Sequence, residues 1–331
     1  PTNRQSVFGA IFTPQVGVRG RGPVWDLQFK ADAAIAQYSE DSTLNSQDPR
    51  AQLNGSYRTQ LGLLRIDSEV SRTSTLITEE ADAGRFNAST QRNLIRVAPS
   101  WSYQLTPLDT ISVGGSWTEA FFETNALSDY RDLAANVGWA RQVTPADALS
   151  VTLIADYFVS ESVIDLRSNA FAAVAGWEHM VSERLKTTLG AGPQYFITEV
   201  PVLGANGLQT DEKTSLGYRV NAGIEYQLSE QTTVGASFTH QIEPTGSGSP
   251  LERNKFEVTA RHQFQPRLSA SVRAYLQLDS DAVGTSAANR DRNFASFEPR
   301  ITYQLAENWD LSGSYRFRTQ DTDTADRAFS N

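Results

Sequence analysis

Apolar and polar residues alternate along most of the chain, in runs that are long for a soluble protein. In one run, Leu149, Val151 and Leu153 alternate with Ser150 and Thr152. Successive strand side chains point to opposite faces, so each run predicts a strand with one apolar and one polar face. Soluble strands usually contain about five or six residues, whereas these contain roughly a dozen, enough for a tilted strand to cross a bilayer. A soluble antiparallel sandwich is the alternative.

Two classes of connection join these runs. Short turns include 106–109, 144–147, 182–184, 229–231, 266–267 and 306–308, and long polar connections lie near 39–49, 75–90, 198–213, 244–254 and 280–293. Outer-membrane barrels place short turns in the periplasm and long loops outside the cell. We therefore predict an all-β fold, a transmembrane up-and-down antiparallel β-barrel forming a single domain over 1–331. Its sixteen predicted strands are 6–19, 24–38, 50–60, 63–74, 91–105, 110–122, 130–142, 148–160, 168–181, 185–197, 214–228, 232–243, 254–265, 267–279, 294–305 and 308–320.

The two ends of this prediction do not match the usual arrangement. The first hairpin turns at 19–23, a short and therefore periplasmic turn, which places the N-terminus outside, and the last strand also ends outside. Bacterial barrels normally keep both termini in the periplasm. We expect one further strand at each end, hence 18 strands in the intact barrel; the alternative is sixteen strands that close as they stand.

Aromatic residues collect near the short turns, in register with the apolar face. Such a ring of amphipathic side chains is typical of a membrane–water interface. The predicted aromatic girdle consists of Trp101, Tyr103, Trp139, Trp177, Tyr226, Tyr303 and Trp309.

Composition narrows the class of protein. Only 39% of residues are hydrophobic, mean hydropathy is -0.40, and no run is long enough for a spanning helix. The 29 basic and 38 acidic side chains give a net charge of -9, which argues against a nucleic-acid partner. The chain has no cysteine, which excludes disulfides and thiolate chemistry.

No pattern of residues predicts catalysis. The three histidines, His179, His240 and His262, fall in register with the apolar face, and we interpret them as interfacial residues near strand ends. Sequences typical of a serine-hydrolase elbow, a zinc protease or a nucleotide-binding loop do not occur. We predict a protein that is not an enzyme and has no cofactor and no metal site.

The polar face of the predicted strands carries many charges. Facing an arginine toward lipid near the midplane would cost about 2–4 kcal/mol, so these side chains are predicted to face the lumen. They either pair across strands and stiffen the wall or guide an anionic solute. The predicted pore-lining residues are Arg58, Arg65, Arg96, Arg219, Arg261, Arg273, Arg300, Arg316, Glu225, Glu257 and Glu298.

Several segments resemble a known family. The turns YQLTPLD, RQVTPAD and YQLSEQ, followed by strands such as TISVGGSW and TTVGASF, resemble the beta-porin-like outer-membrane barrels found with exopolysaccharide and exosortase gene clusters of proteobacteria. The opening FTPQVGVRGRGPVWDLQFKADAAIAQYSED and the tail WDLSGSYRFRTQDTDTADRAFSN are similar to strands of that family. The resemblance implies a barrel in the outer membrane of a Gram-negative bacterium. It also implies lipopolysaccharide among the surrounding lipids, polysaccharide-export components as partners, and a role in polysaccharide secretion.

Two functions are compatible with this sequence. The first is a pore that conducts exopolysaccharide or polar solutes across the outer membrane, because barrels of 16–18 strands leave an aqueous channel. The second is a structural barrel that anchors a partner or a surface layer and has a closed lumen. No connection is long enough to form an obvious plug domain, which favours the pore.

Overall fold

A computed structural model describes residues 9–38, 45–74, 91–123, 128–161, 166–204, 207–243, 251–281, 292–306 and 309–322. These residues form strands joined by turns, with no helix among them. The described part of the chain thus contains no helix long and apolar enough to cross a membrane.

The strands follow the hydrophobic alternation closely. Their bounds are β1 Gly9–Phe12, β2 Gln15–Arg21, β3 Trp25–Tyr38, β4 Ser46–Arg58, β5 Gly62–Ser74, β6 Gln91–Gln104, β7 Asp109–Phe122, β8 Asp129–Gln142, β9 Asp147–Glu161, β10 Leu166–Ser182, β11 Leu185–Gly204, β12 Gly207–Ser229, β13 Thr232–Glu243, β14 Leu251–Gln265, β15 Leu268–Asp281, β16 Arg292–Ala306, β17 Trp309–Ser314 and β18 Phe317–Thr322.

Consecutive strands pair antiparallel throughout a single sheet. β1 and β2 both pair with β3 and are two segments of one strand, and β17 and β18 both pair with β16 in the same way. The eighteen segments therefore make sixteen antiparallel strands, as the alternation predicts. Within the described ranges no register pair joins β1 or β2 to β17 or β18.

The two faces of the sheet differ as the sequence predicts. On β9, Leu149, Val151 and Leu153 are exposed on one face, and the side chains between them lie on the other. Large apolar side chains are exposed in this way on nearly every strand. We call this the outer face and the polar face the inner face. A lipid-facing barrel wall requires such an exposed apolar face.

Prolines lie where the backbone ladder is interrupted, because proline has no N–H to donate. Pro14 separates β1 from β2, and Pro299 lies opposite the break between β17 and β18, where it accepts a bond from Tyr315 N at 3.1 Å. Pro99 and Pro193 fall within gaps in the registers of β6 with β7 and of β10 with β11.

The long connections join the strands at one end of the sheet, which we call the long-connection end. Near this end, pairing between neighbouring strands stops at two places. β4 and β5 pair only up to Arg50 and Ser71, one residue short of Pro49, and β12 and β13 pair only up to Val220 and His240. Beyond these points each strand pairs with its other neighbour alone. We call these two places the β4–β5 seam and the β12–β13 seam.

A buried polar side chain bridges each seam. Asp48 accepts a hydrogen bond from Ser74 N at 2.7 Å across the β4–β5 seam. At the β12–β13 seam, Gln194 of β11 donates to Ile242 O at 3.2 Å and accepts from Ile242 N at 3.3 Å. Gln194 reaches Ile242 past Gly217, the residue opposite it on β12, which has no side chain to obstruct it. The carboxylate and the amide thus replace missing ladder bonds.

Four of the predicted segments differ in the structure. The segment 198–213 continues β11 and β12 as a paired ribbon up to Gly204 and Gly207, and is not a long loop. Strands predicted at 6–19 and 308–320 are each interrupted, by Pro14 and opposite Pro299. The first turn lies at 22–24, since β2 runs to Arg21. Connections predicted at 75–90 and over most of 39–49, 244–254 and 280–293 lie outside the described residues.

A side chain at Gly192 is expected to destabilise the sheet. A Cβ at Gly192 would overlap the backbone carbonyl of Ala173, which is fixed in the neighbouring strand. We expect Gly192→Ala to lower the free energy of unfolding by about 1–3 kcal/mol, measured by urea titration of the refolded protein in lipid vesicles. Gly313→Ala is the control, because nothing lies within 4 Å of its Cβ position. Equal stability of the two variants would contradict the prediction.

Candidate functional site: the inner face of the sheet

All of the predicted pore-lining residues lie among the described residues, at positions that alternate with outer-face apolar residues. Arg65, for example, lies between Leu64 and Ile66, which are both exposed on the outer face. All but one lie within strands, and Arg316 lies in the break between β17 and β18. The full inner-face set is Arg58, Arg65, Arg96, Arg219, Arg261, Arg273, Arg300, Arg316, Glu225, Glu257 and Glu298.

Several of these charges form ion pairs between neighbouring strands. Glu257 of β14 accepts from Arg273 of β15 at 2.9 Å and also lies 2.9 Å from Lys255 Nζ. Glu298 of β16 accepts from Arg316 at 2.6 Å. Cross-strand pairs of opposite charge stabilise a sheet by about 0.2–1 kcal/mol each, so these charges stiffen the wall.

One ion pair spans several strands. Arg219 of β12 lies 3.7 Å from Asp156 of β9. The registers place Ser215, not Arg219, level with Asp156, so in a flat sheet the two backbones would be about 19 Å apart. The pair therefore requires the sheet to curve toward its inner face.

Five of the predicted arginines are exposed and make no ion pair in the part of the chain that the structure describes. Arg261 of β14 and Arg300 of β16 lie on either side of Ser271 in one row across three strands. A guanidinium keeps its charge at any physiological pH, so each of these groups can attract an anion. The five are Arg58, Arg65, Arg96, Arg261 and Arg300.

An aromatic ring lies among the cations of β14 and β15. Lys255 Nζ is 5.1 Å and Arg273 Cζ 5.8 Å from the ring centroid of Tyr275, which also packs on Phe294 at 5.4 Å. Cations held over an aromatic face in this way have restricted positions.

The inner face of β7 to β11 is mostly neutral and carries small side chains. A Cβ on Gly138 would meet Ser112 Oγ at 2.6 Å, and one on Gly176 would overlap Ser150 Oγ. Each glycine therefore leaves room for a hydroxyl from a neighbouring strand. The wall on this side is polar and has small side chains, whereas most of the inner-face arginines lie on β4 to β6 and on β14 to β16.

The inner face changes character near the long-connection end. Phe158 and Phe196 are both 2% exposed there, and the rings of Phe122, Tyr130 and Phe158 follow one another at 6.3 and 5.6 Å. This apolar patch was not predicted, although adjacent apolar residues such as Tyr157 and Phe158 break the alternation and mark it.

The predicted girdle residues lie near the short turns, on the outer face. Asp109 Oδ1 accepts from Trp139 Nε1 at 3.2 Å, and Asp147 Oδ1 accepts from Trp177 Nε1 at 3.1 Å. The aspartate of each Thr-Pro-x-Asp turn thus fixes the tryptophan of the next strand. The other members of the girdle, at the same end of their strands, are Trp101, Tyr103, Tyr226, Tyr303 and Trp309.

Two of the three histidines lie near strand ends beside short turns, and the third is buried. His179 bonds to Asp147 at 2.7 Å, and His262 bonds to Thr232 at 2.8 Å, both beside short turns. His240 is instead 2% exposed at the β12–β13 seam. It bonds to Asn254 at 2.9 Å and stacks on Tyr218 at 4.0 Å. The described residues include no group of three or more His, Cys, Asp or Glu that could hold a metal ion.

Solved structures of outer-membrane barrels share this fold. The ferric citrate transporter FecA matches with a TM-score of 0.57 and 11% identity over 98% of this chain and 58% of its own. The copper transporter OprC matches with a TM-score of 0.55 and 12% identity, and the match covers 97% of this chain and 61% of OprC. The closed form of the ferric-catecholate import receptor Fiu of E. coli K12 matches with a TM-score of 0.53 and 9% identity. This match covers 96% of this chain and 64% of Fiu.

The chain spans about six-tenths of the length of these structures. No protein-family model matches the sequence, and no curated protein matches it significantly. At these identities the likeness establishes the fold, that of an outer-membrane β-barrel. Together with the apolar side chains exposed on the outer face, it places the protein in the outer membrane of a Gram-negative bacterium.

Proposed function

We propose that the protein is an outer-membrane pore that conducts polar solutes or an exopolysaccharide chain. The observation that carries this proposal is the inner face, which is polar outside the apolar patch at its long-connection end and bears five arginines without an ion-pair partner among the described residues. A wall that served stability alone would gain more from pairing these charges than from leaving them exposed.

The size of the sheet supports a channel. Porin barrels of 16–18 strands leave an aqueous channel, and the sheet has sixteen strands. FecA and OprC are described as transporters, and Fiu as an import receptor, so a transport role is compatible with this fold.

The two sides of the wall favour an acidic or hydroxyl-rich polymer as the solute. Exposed guanidinium groups attract carboxylates or phosphates, and the small polar side chains of β7 to β11 offer no large obstacle to a sliding chain. The resemblance to barrels of exopolysaccharide gene clusters points to the same class of solute.

Single-channel recording in a planar bilayer tests the proposal. We expect large, steady conductance steps with a preference for anions over cations, measured from the reversal potential in a salt gradient. Insertion is verified separately by protease protection. A silent bilayer with verified insertion would contradict the proposal.

A second function, a structural barrel with a closed lumen, is favoured by one observation. The inner-face residues Phe158, Phe196 and Gln194 are buried at the long-connection end, so the inner face is covered there. A silent bilayer would support this function, and the same recording therefore distinguishes the two.

A further inference from the structure

We propose that the β4–β5 seam holds a binding site for the sugar headgroup of an outer-leaflet glycolipid. A cavity of about 440 Å³ lies at this seam, within the range of about 300–1,000 Å³ that is usual for small-molecule sites. Its lining includes Gln37, Gln47, Pro49, Arg72 and Gln91.

The geometry of the β4–β5 seam is fixed by specific bonds. Pro49 cannot donate a ladder bond, and the register of β4 with β5 ends at Arg50 and Ser71. Asp48 is 6% exposed and accepts from Ser74 N and from Ser46 Oγ, both at 2.7 Å. The cavity is therefore part of the folded wall.

The lining residues suit a hydroxylated ligand. Amide side chains both donate and accept hydrogen bonds, as sugar hydroxyls do, and Gln37, Gln47 and Gln91 all contribute amides. Gln91 Oε1 is buried and has no hydrogen-bond partner in the described structure. A ligand hydroxyl would satisfy this acceptor, whose isolation otherwise costs free energy.

The charges disfavour other ligand classes. The described residues that line the cavity include no carboxylate, the ligand that a divalent metal cation prefers. Their one guanidinium, Arg72, is paired with Glu123 at 2.5 Å, so the site does not demand a strongly anionic ligand. This lining therefore fits the hydroxyl groups of a sugar better than its phosphates or carboxylates.

The position of the cavity identifies the source of the sugar. Gln37, Gln47 and Arg72 lie in register with outer-face residues. Arg72 is eleven residues from the short turn at Leu61, about 25–30 Å along the barrel axis for a strand tilted by 35–45°. The apolar band of such barrels is about 25 Å tall, so the cavity faces the headgroups of the outer leaflet.

Glycolipid retention by the purified full chain tests this site. The probes are rough lipopolysaccharide in phosphatidylethanolamine nanodiscs and, separately, its deacylated core oligosaccharide in solution. We expect native mass spectrometry to show retained lipopolysaccharide, with retention about tenfold weaker in Gln91→Leu and Gln47→Leu. Gln227→Leu, near a short turn, is the matched control and is expected to bind as the unchanged protein does.

Equal retention by all variants would overturn the proposal, and equally tight binding of the free oligosaccharide would overturn the assignment to a membrane glycolipid. Heat-modifiable electrophoretic mobility verifies that each variant is folded. The inference rests on the membrane orientation of the proposed pore but not on its conductance. Because the cavity is on the outer face, single-channel recording of the same variants separates failure of this site from failure of the pore.

Discussion

Leu153→Arg is expected to destabilise the protein strongly, whereas Thr152→Arg, one residue away, is expected to be tolerated. Leu153 is 56% exposed at the middle of β9 on the outer face, where arginine costs about 2–4 kcal/mol in a bilayer. Thr152 lies on the inner face opposite Gly138, which leaves room for a longer side chain. Urea titration in lipid vesicles gives the free energy of unfolding of each variant.

This pair tests the assignment of faces directly, because the two substitutions add the same charge to adjacent residues. Equal destabilisation would contradict a lipid-facing outer surface and would favour a soluble sheet. Comparison of both variants in detergent, where the hydrocarbon layer is thinner and more adaptable, shows whether the cost arises from lipid.

The double variant Arg261→Gln, Arg300→Gln is expected to lose its anion preference. Both guanidinium groups are exposed on the inner face without an ion pair among the described residues, while Glu225, Glu257 and Glu298 remain. We expect the anion-to-cation permeability ratio to fall to about one or below, measured from the reversal potential.

Arg131→Gln is the matched control for this variant. Arg131 carries the same charge but lies on the outer face, where it pairs with Glu119. Its removal is expected to leave the reversal potential unchanged. An equal change in both proteins would mean that the net charge of the chain, and not the inner-face arginines, sets selectivity.

The sequence is sufficient to predict the strands because lipid imposes a strict condition on alternate residues. β13 begins and ends where predicted, at Thr232 and Glu243, and most other strands differ by one to three residues. The alternation arises because one face of the strand meets lipid and the other does not. It therefore cannot predict a strand where both faces have the same environment. β11 and β12 therefore continue past the predicted boundary at 197 without a clear pattern.

The seams and the cavity could not be predicted from the sequence, because they depend on which neighbouring strand stops pairing. Pro49 signals a missing ladder bond, but not which neighbour is lost, since β4 keeps its pairing with β3. The buried position of His240 depends on Tyr218, twenty-two residues earlier in the chain, and on the end of pairing between two strands. Alternation specifies a face, whereas these features depend on three-dimensional contacts.

The two seams have a mechanical consequence. Eight strands, β5 to β12, separate them along the sheet. Elsewhere, enlarging the rim would require the rupture of backbone ladders. At the seams it requires that the side chains of Asp48 and Gln194 release Ser74 and Ile242 and that the rings of Tyr218 and His240 separate. Compliance of the rim is thus concentrated at two joints, while nearer the short turns the ladders of β4 with β5 and of β12 with β13 keep the wall continuous.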